Sequence, residues 1–90
     1  MSDPVYGDDG VALGEPVVVR ARELKAGHYV HRRFPGGADA GWFEVTAVAY
    51  QRLRRRYYVR ISRPDSLANR LADHYHLSPT GSETIRRPAH

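Results

Sequence analysis

The stretch Arg56-Tyr57-Tyr58-Val59-Arg60-Ile61-Ser62 alternates side-chain character at a strict period of two. An extended strand sorts these residues, placing Tyr57, Val59 and Ile61 on one face and Arg56, Tyr58 and Arg60 on the other. A helix would scatter the same residues around its circumference. The strand therefore has an apolar face that needs a core and an outward face that is basic and aromatic. Other segments repeat the pattern. Residues 16–21 carry a β-branched run, with Val17, Val19 and Ala21 on one side and Val18 and Arg20 on the other. Residues 28–34 form a second strand, 42–50 a third, 74–77 a fifth and 83–87 a sixth, with 56–62 as the fourth.

The third strand changes phase partway. Phe43 and Val45 share one parity and Val48 and Tyr50 the other, which predicts a β-bulge near Ala47. Turn chemistry separates the strands. Residues 22–27 fit one tight helical turn with Leu24 inward and Gly27 supplying a left-handed exit. Residues 35–41 are a Gly-rich loop, Arg52-Leu53-Arg54-Arg55 is a hairpin tip, and Ser78-Pro79-Thr80-Gly81-Ser82 is a turn. One short helix is expected near 65–73, capped by Asp65 or Ser66, with Leu67 and Leu71 one turn apart.

These expectations add up to a mainly all-β chain. Five or six short antiparallel strands in about 70 residues suit a small barrel that closes its own edges, with an SH3-like barrel the leading architecture. Residues 1–15 are acidic, rich in Gly and Asp and without apolar period, so they read as a flexible acidic tail preceding a single domain over 16–88.

The segment Val18-Val19-Arg20-Ala21-Arg22-Glu23-Leu24-Lys25-Ala26-Gly27-His28-Tyr29-Val30, followed by Trp42-Phe43-Glu44-Val45-Thr46-Ala47-Val48, resembles a unit of SH3-like and Hint-type β domains. That unit runs strand, Leu-Lys-x-Gly turn, strand, then Trp-x-x-Val-x-x-Val. The resemblance spans residues 18–48 and implies a fold. It does not imply self-processing, because His28 stands where Hint domains place Asp and no Cys is present to act as the splicing nucleophile.

Length and composition exclude much else. Ninety residues make one small domain, too small for an enzyme with a separate cofactor domain, and 41% hydrophobic residues are enough for one core. The absence of Cys removes disulfide scaffolds, thiolate zinc sites and cysteine nucleophiles together. No apolar run approaches a membrane span or a signal-peptide core, so no membrane partner is expected and the expected address is cytoplasmic. No Ser lies in a Gly-x-Ser-x-Gly elbow, and the Gly pairs do not join a strand to a helix as phosphate-cradling loops do. Glu44 and Asp73 lack a recognisable pocket. No catalytic residues, cofactor or metal are therefore expected.

Charge is more informative. Residues 1–16 hold four acids and no base, whereas residues 17–90 hold fourteen Arg and Lys against six acids, and thirteen of the fourteen are Arg. Planar guanidinium forks suit phosphates and stacked bases. A GC-rich genome would produce the same preference for Arg over Lys, but the excess of positive charge stands under either account.

The strip Arg52-Leu53-Arg54-Arg55-Arg56-Tyr57-Tyr58-Val59-Arg60 concentrates that charge. Arg52, Arg54, Arg55, Arg56 and Arg60 are placed to neutralise phosphates, with Tyr58 positioned to stack on an unpaired base. The expected function is a small non-catalytic module that binds DNA or RNA with little sequence preference, since no helix suits a major groove. The bland alternative is a solvated hairpin whose Arg stems cover apolar surface. Arg32, Arg33, Arg63, Arg86 and Arg87 are candidates to extend the patch.

Two further features carry hypotheses. His74 and His76, two apart on a strand, project from one face and can approach one metal ion, whereas His28 and His31 cannot; exposed polar residues are the plainer reading. Tyr29, Trp42 and Tyr50 are candidates for an aromatic groove that takes an extended peptide, which makes an SH3-like interaction module with an acidic protein partner the second functional reading. In either case the acidic tail is able to fold back over the basic face and compete with a polyanion.

Overall fold

The computed structural model describes residues 3–90. The described residues form eight antiparallel strands and two one-turn 3-10 helices: β1 Val5–Tyr6, β2 Ala12–Leu13, β3 Val17–Arg20, β4 Tyr29–Arg33, β5 Asp39–Gln51, β6 Arg56–Ile61, β7 His74–Leu77 and β8 Ser82–Arg86. The main sheet has six strands in the order β3-β8-β4-β5-β6-β7, and β1 and β2 form a separate hairpin. All six sequence-predicted strands are present.

Alternation decides which face is buried. Val30 pairs with Phe43 and with Ile85, and Val48 pairs with Val59, so inward residues from neighbouring strands meet on one side. Phe43, Ile85, Val30 and Val59 are fully buried, joined by Val19, Leu24, Val45, Ile61 and Leu71 in one cluster. Each such side chain contributes roughly 1.5–3 kcal/mol on leaving water, the dominant stabilisation in a domain this small. The turn after β3 is the 3-10 helix Ala21–Glu23; it drops Leu24 into the core, and Gly27, at φ 96°, reverses the chain into β4.

β5 is thirteen residues long and contributes to both halves of the sheet. Its pairing with β6 shifts register between Val45 and Ala47, leaving Thr46 as the extra residue of a bulge, as the change of phase predicted. The sheet bends there.

The expected closed barrel does not form. β3 and β7 are the two edges of the sheet and share no ladder. Side chains reach across the opening instead. The Tyr75 hydroxyl donates to the Glu83 carboxylate at 3.0 Å, and the Arg32 guanidinium lies 4.0 Å from the Tyr75 ring centroid. Burial first, then the nearby Glu83 charge, push the Tyr75 phenol well above its ordinary pKa. The expected helix over 65–73 is also corrected. Only Asp65–Leu67 is helical, and beyond it the Leu67 carbonyl accepts from the Arg70 N–H at 2.9 Å and the Leu71 N–H at 2.8 Å, which closes a turn without extending the helix. Leu71 still reaches the core, so one turn delivers the apolar contact that two were expected to provide.

The flexible tail expected over 1–15 is corrected as well; Met1 and Ser2 lie outside the described residues. Val5 pairs with Leu13 and Tyr6 with Ala12, and the Asp9 carboxylate accepts the Val11 N–H at 3.0 Å within the connecting turn. The hairpin packs on the outer face of the sheet. Gly7 bridges to Trp42, the Asp8 N–H donates to the Trp42 carbonyl at 2.8 Å, and the Gly14 N–H donates to the Arg87 carbonyl at 2.7 Å. The Tyr29 hydroxyl donates to Asp9 at 2.7 Å, and Tyr29 is only 2% exposed. A Cβ on Gly7 would sit 2.6 Å from the Tyr29 ring, which explains the glycine there. The sequence signal was short because the hairpin is anchored by backbone hydrogen bonds, by the buried Gly7 and Leu13 and by one aspartate, none of which leaves an apolar period.

Candidate nucleic-acid interface

The bulge sets which side chains of β5 and β6 share the outer face. Beyond Thr46 the pairs are Ala47 with Arg60, Ala49 with Tyr58 and Gln51 with Arg56. On the other side of β6, Arg60 pairs with His74 and Tyr58 with His76. Since directly paired residues point to the same face, three rows cross the sheet: Ala47, Arg60, His74; Ala49, Tyr58, His76; and Gln51 with Arg56.

The middle row has an aromatic centre. The Tyr58 ring stacks on His74 with centroids 5.3 Å apart and planes 22° from parallel, and meets the edge of His76 at 5.7 Å. Ala47 and Ala49 are exposed and short, so the β5 side of Tyr58 is an open shelf. His74 Nδ1 lies 3.0 Å from the Asp73 carboxylate, whose other oxygen is 3.7 Å from the Arg60 guanidinium. The hydrogen bond with His74, followed by the charges of Arg60 and Arg63, holds Asp73 below the ordinary carboxylate pKa. Desolvation, then Arg56, His74 and Arg54, hold the His76 imidazole below its ordinary pKa.

The tip supplies free charge. Arg52, Arg54 and Arg55 are exposed, and no ion pair involves them among the described residues. Arg55 adopts φ 51°, closing the four-residue loop. Arg56 is half-buried and its Nε donates to the Gln51 side chain at 3.3 Å. The six sequence-predicted residues thus divide into three free guanidiniums at the tip and a surface of Arg56, Tyr58 and Arg60 below it. His74, His76, Ala47 and Ala49 join that surface. Their signal was available in the sequence, because 56–62 and 74–77 both alternate, but the register that sets His76 beside Tyr58 was not.

Other candidates fall elsewhere. Arg33 pairs with Asp39 at 3.0 Å, Arg32 covers Tyr75, and Arg86 lies over Trp42 while donating to the Gly14 carbonyl at 2.8 Å. None of these three extends the patch. Tyr29, Trp42 and Tyr50 do not form one groove. Tyr29 is buried under the N-terminal hairpin, and Tyr50 lies eight residues along β5 from Trp42, on the opposite face, paired with Tyr57 at 5.1 Å. The acidic segment does not cover the basic face: it docks beside Trp42, nine residues from Gln51, roughly 30 Å along an extended strand.

His74 and His76 do share a face, with ring centroids 6.0 Å apart. No group of three or more His, Cys, Asp or Glu converges among the described residues. No helix of the described residues is long and apolar enough to cross a membrane. No protein-family model, curated protein or solved structure matches this chain.

Proposed function

We propose that this chain is a small non-catalytic module that binds nucleic acid, its curled sheet being an open variant of the SH3-like barrel. The observation that carries the reading is the outer face of β5, β6 and β7. A Tyr58 ring backed by two imidazoles sits beside an open alanine shelf, with Arg56 and Arg60 in the adjacent rows and three unpaired guanidiniums at the tip. Guanidiniums attract the phosphate backbone at every sequence, and a half-buried aromatic ring beside an open shelf and flanked by cations suits an unpaired base. Single strands are therefore the preferred ligand, with limited sequence preference.

Fluorescence anisotropy of labelled single- and double-stranded oligonucleotides tests this, with wild type beside Tyr58→Ala. Tyr58 lies on the outer face, away from the core cluster, so its removal leaves the core side chains in place. Loss of one stacked base weakens single-strand binding by about 1–3 kcal/mol and duplex binding by less. Absence of binding at low salt, or equal affinity in Tyr58→Ala, overturns the reading.

A protein-interaction role has one feature in its favour. β3 is a sheet edge with Val17 and Val18 exposed, Val18 by 68%, and such an edge accepts an added peptide strand. That mode draws on main-chain hydrogen bonds and is insensitive to salt, which separates it from the first.

A further inference from the structure

A second basic site lies outside the β5-β6-β7 face. The turn after β7 leaves the sheet beside the β5-β6 hairpin, because Leu77 pairs with Tyr57, and it re-enters at Ser82, which pairs with Arg20. Arg20, Arg22, Pro79, Thr80, Gly81 and Ser82 line an open cleft of about 430 Å³ there.

Four observations bear on what it takes. The volume falls within the range of small-molecule sites, roughly 300–1,000 Å³. Its lining has no aromatic or large aliphatic side chain, so apolar burial cannot supply the recognition. Two guanidiniums and two hydroxyls supply it instead, and all of these groups donate hydrogen bonds. No ion pair involves Arg20 or Arg22 among the described residues. The Glu23 carboxylate, next to Arg22 in the chain, is turned to the backbone, accepting the Arg20 N–H at 3.0 Å. The turn itself is fixed: the Gly81 N–H donates to the Ser78 carbonyl at 2.9 Å, and the Ala21 N–H donates to the Gly81 carbonyl at 3.1 Å, tying the turn to the start of the 3-10 helix.

We propose that the cleft formed by Arg20, Arg22, Thr80 and Ser82 is a phosphoryl-binding site. Forked guanidiniums match the tetrahedral oxygens of a phosphate in pairs, and the hydroxyls of Thr80 and Ser82 add donors to the remaining oxygens. A small phosphate ester and the backbone of a nucleic-acid strand present the same group. The strand form rests on the function proposed above, with the cleft adding a phosphate contact at the hairpin end of the sheet; the small-ester form is independent of it.

Backbone-amide NMR of the full chain, titrated separately with inorganic phosphate, adenosine 5′-monophosphate and a single strand of about twelve nucleotides, tests the site. Saturable shifts at residues 20–22 and 80–82 are expected with at least one probe. Replacing both arginines (Arg20→Gln with Arg22→Gln) weakens that binding by about tenfold or more, while the amides of the core strands keep their positions. Shifts with phosphate or the mononucleotide identify a small ester as sufficient; shifts with the oligonucleotide alone identify the strand backbone. If the oligonucleotide moves residues 56–60 and 74–77 but leaves 20–22 and 80–82 unmoved, and the two small probes do likewise, the cleft proposal falls and the face reading stands. If the cleft responds and the face does not, the reverse holds. No response to any probe overturns both.

Discussion

Under the proposed function, the salt dependence of nucleic-acid binding follows from which guanidiniums are free. Arg52, Arg54 and Arg55 extend from the hairpin tip without a counter-charge, whereas Arg60 shares Asp73 and Arg56 is tethered to Gln51. Each free guanidinium that meets a phosphate releases condensed counterion and adds about 0.7 to the slope of log affinity against log salt for a single strand. Replacing all three by Gln therefore lowers the slope by about 2. Over a fourfold rise in salt, from about 50 to about 200 mM, wild type loses roughly twentyfold more affinity than the variant. The three positions lie in the loop, outside the core, and Gln, though shorter than Arg, keeps a polar hydrogen-bonding side chain without the charge. Anisotropy titrations at four salt concentrations measure both slopes. Parallel lines for the two proteins would refute the assignment of the tip to phosphate, whatever the absolute affinities.

Other outcomes test the fold and its titrating groups. Tyr29→Phe removes the donor to Asp9 and costs about 1–2 kcal/mol, lowering Tm by several degrees in a domain of this size and speeding exchange of the Gly7 and Asp8 amides; an unchanged melt and unchanged exchange would show that the N-terminal hairpin is held by other contacts. Phe43→Ala empties the centre of the core at a cost of about 3–5 kcal/mol and leaves little folded protein by circular dichroism. His28 is buried with Nε2 unpartnered, and burial first, then Arg87 and Lys25, depress its pKa. The folded chain thus binds this proton less well than the unfolded chain, so His28 contributes stability that is present above its unfolded pKa of about 6.5 and lost as pH falls toward the folded value; His28→Gln, followed by urea melts, flattens that dependence. Phosphates paired with Arg56 and Arg54 relieve the repulsion that depresses His76 and attract its proton, so single-strand affinity rises as pH falls from about 7.5 to about 6, and His76→Gln reduces the rise.

Much of the sheet was legible because alternation is a local signal. The inward set Phe43, Val45, Val59 and Ile61, the bulge and the tip all follow from parity along single segments. What was not legible depends on pairing between segments far apart in the chain. Leu13 finds its cover beside Pro88, seventy-five residues on, and Asp9 finds Tyr29 across twenty. A two-residue strand carries no periodicity by which such a partner can be recognised, so the N-terminal hairpin read as a tail. The same limit hid the Arg20 and Arg22 cleft, whose other wall is the turn at 79–82.

The bulge at Thr46 is where fold and candidate site meet. Were β5 to run to Gln51 without it, strict alternation from Phe43 would turn Ala47 and Ala49 inward and Val48 and Tyr50 outward. Two small side chains would then face the core opposite Val59, leaving it underfilled, and Val48 and Tyr50 would crowd the outer face beside Tyr58. With one extra residue the parity reverses: Val48 packs against the core cluster, Tyr50 pairs with Tyr57 on the inner side, and the two alanines open the shelf next to Tyr58. Deleting Thr46 therefore sets burial of Val48 against exposure of the shelf, so the variant loses either core packing or access to Tyr58. Thermal melts and single-strand titrations on that one protein distinguish the two, and a variant that kept both wild-type stability and wild-type affinity would show that neither depends on the bulge.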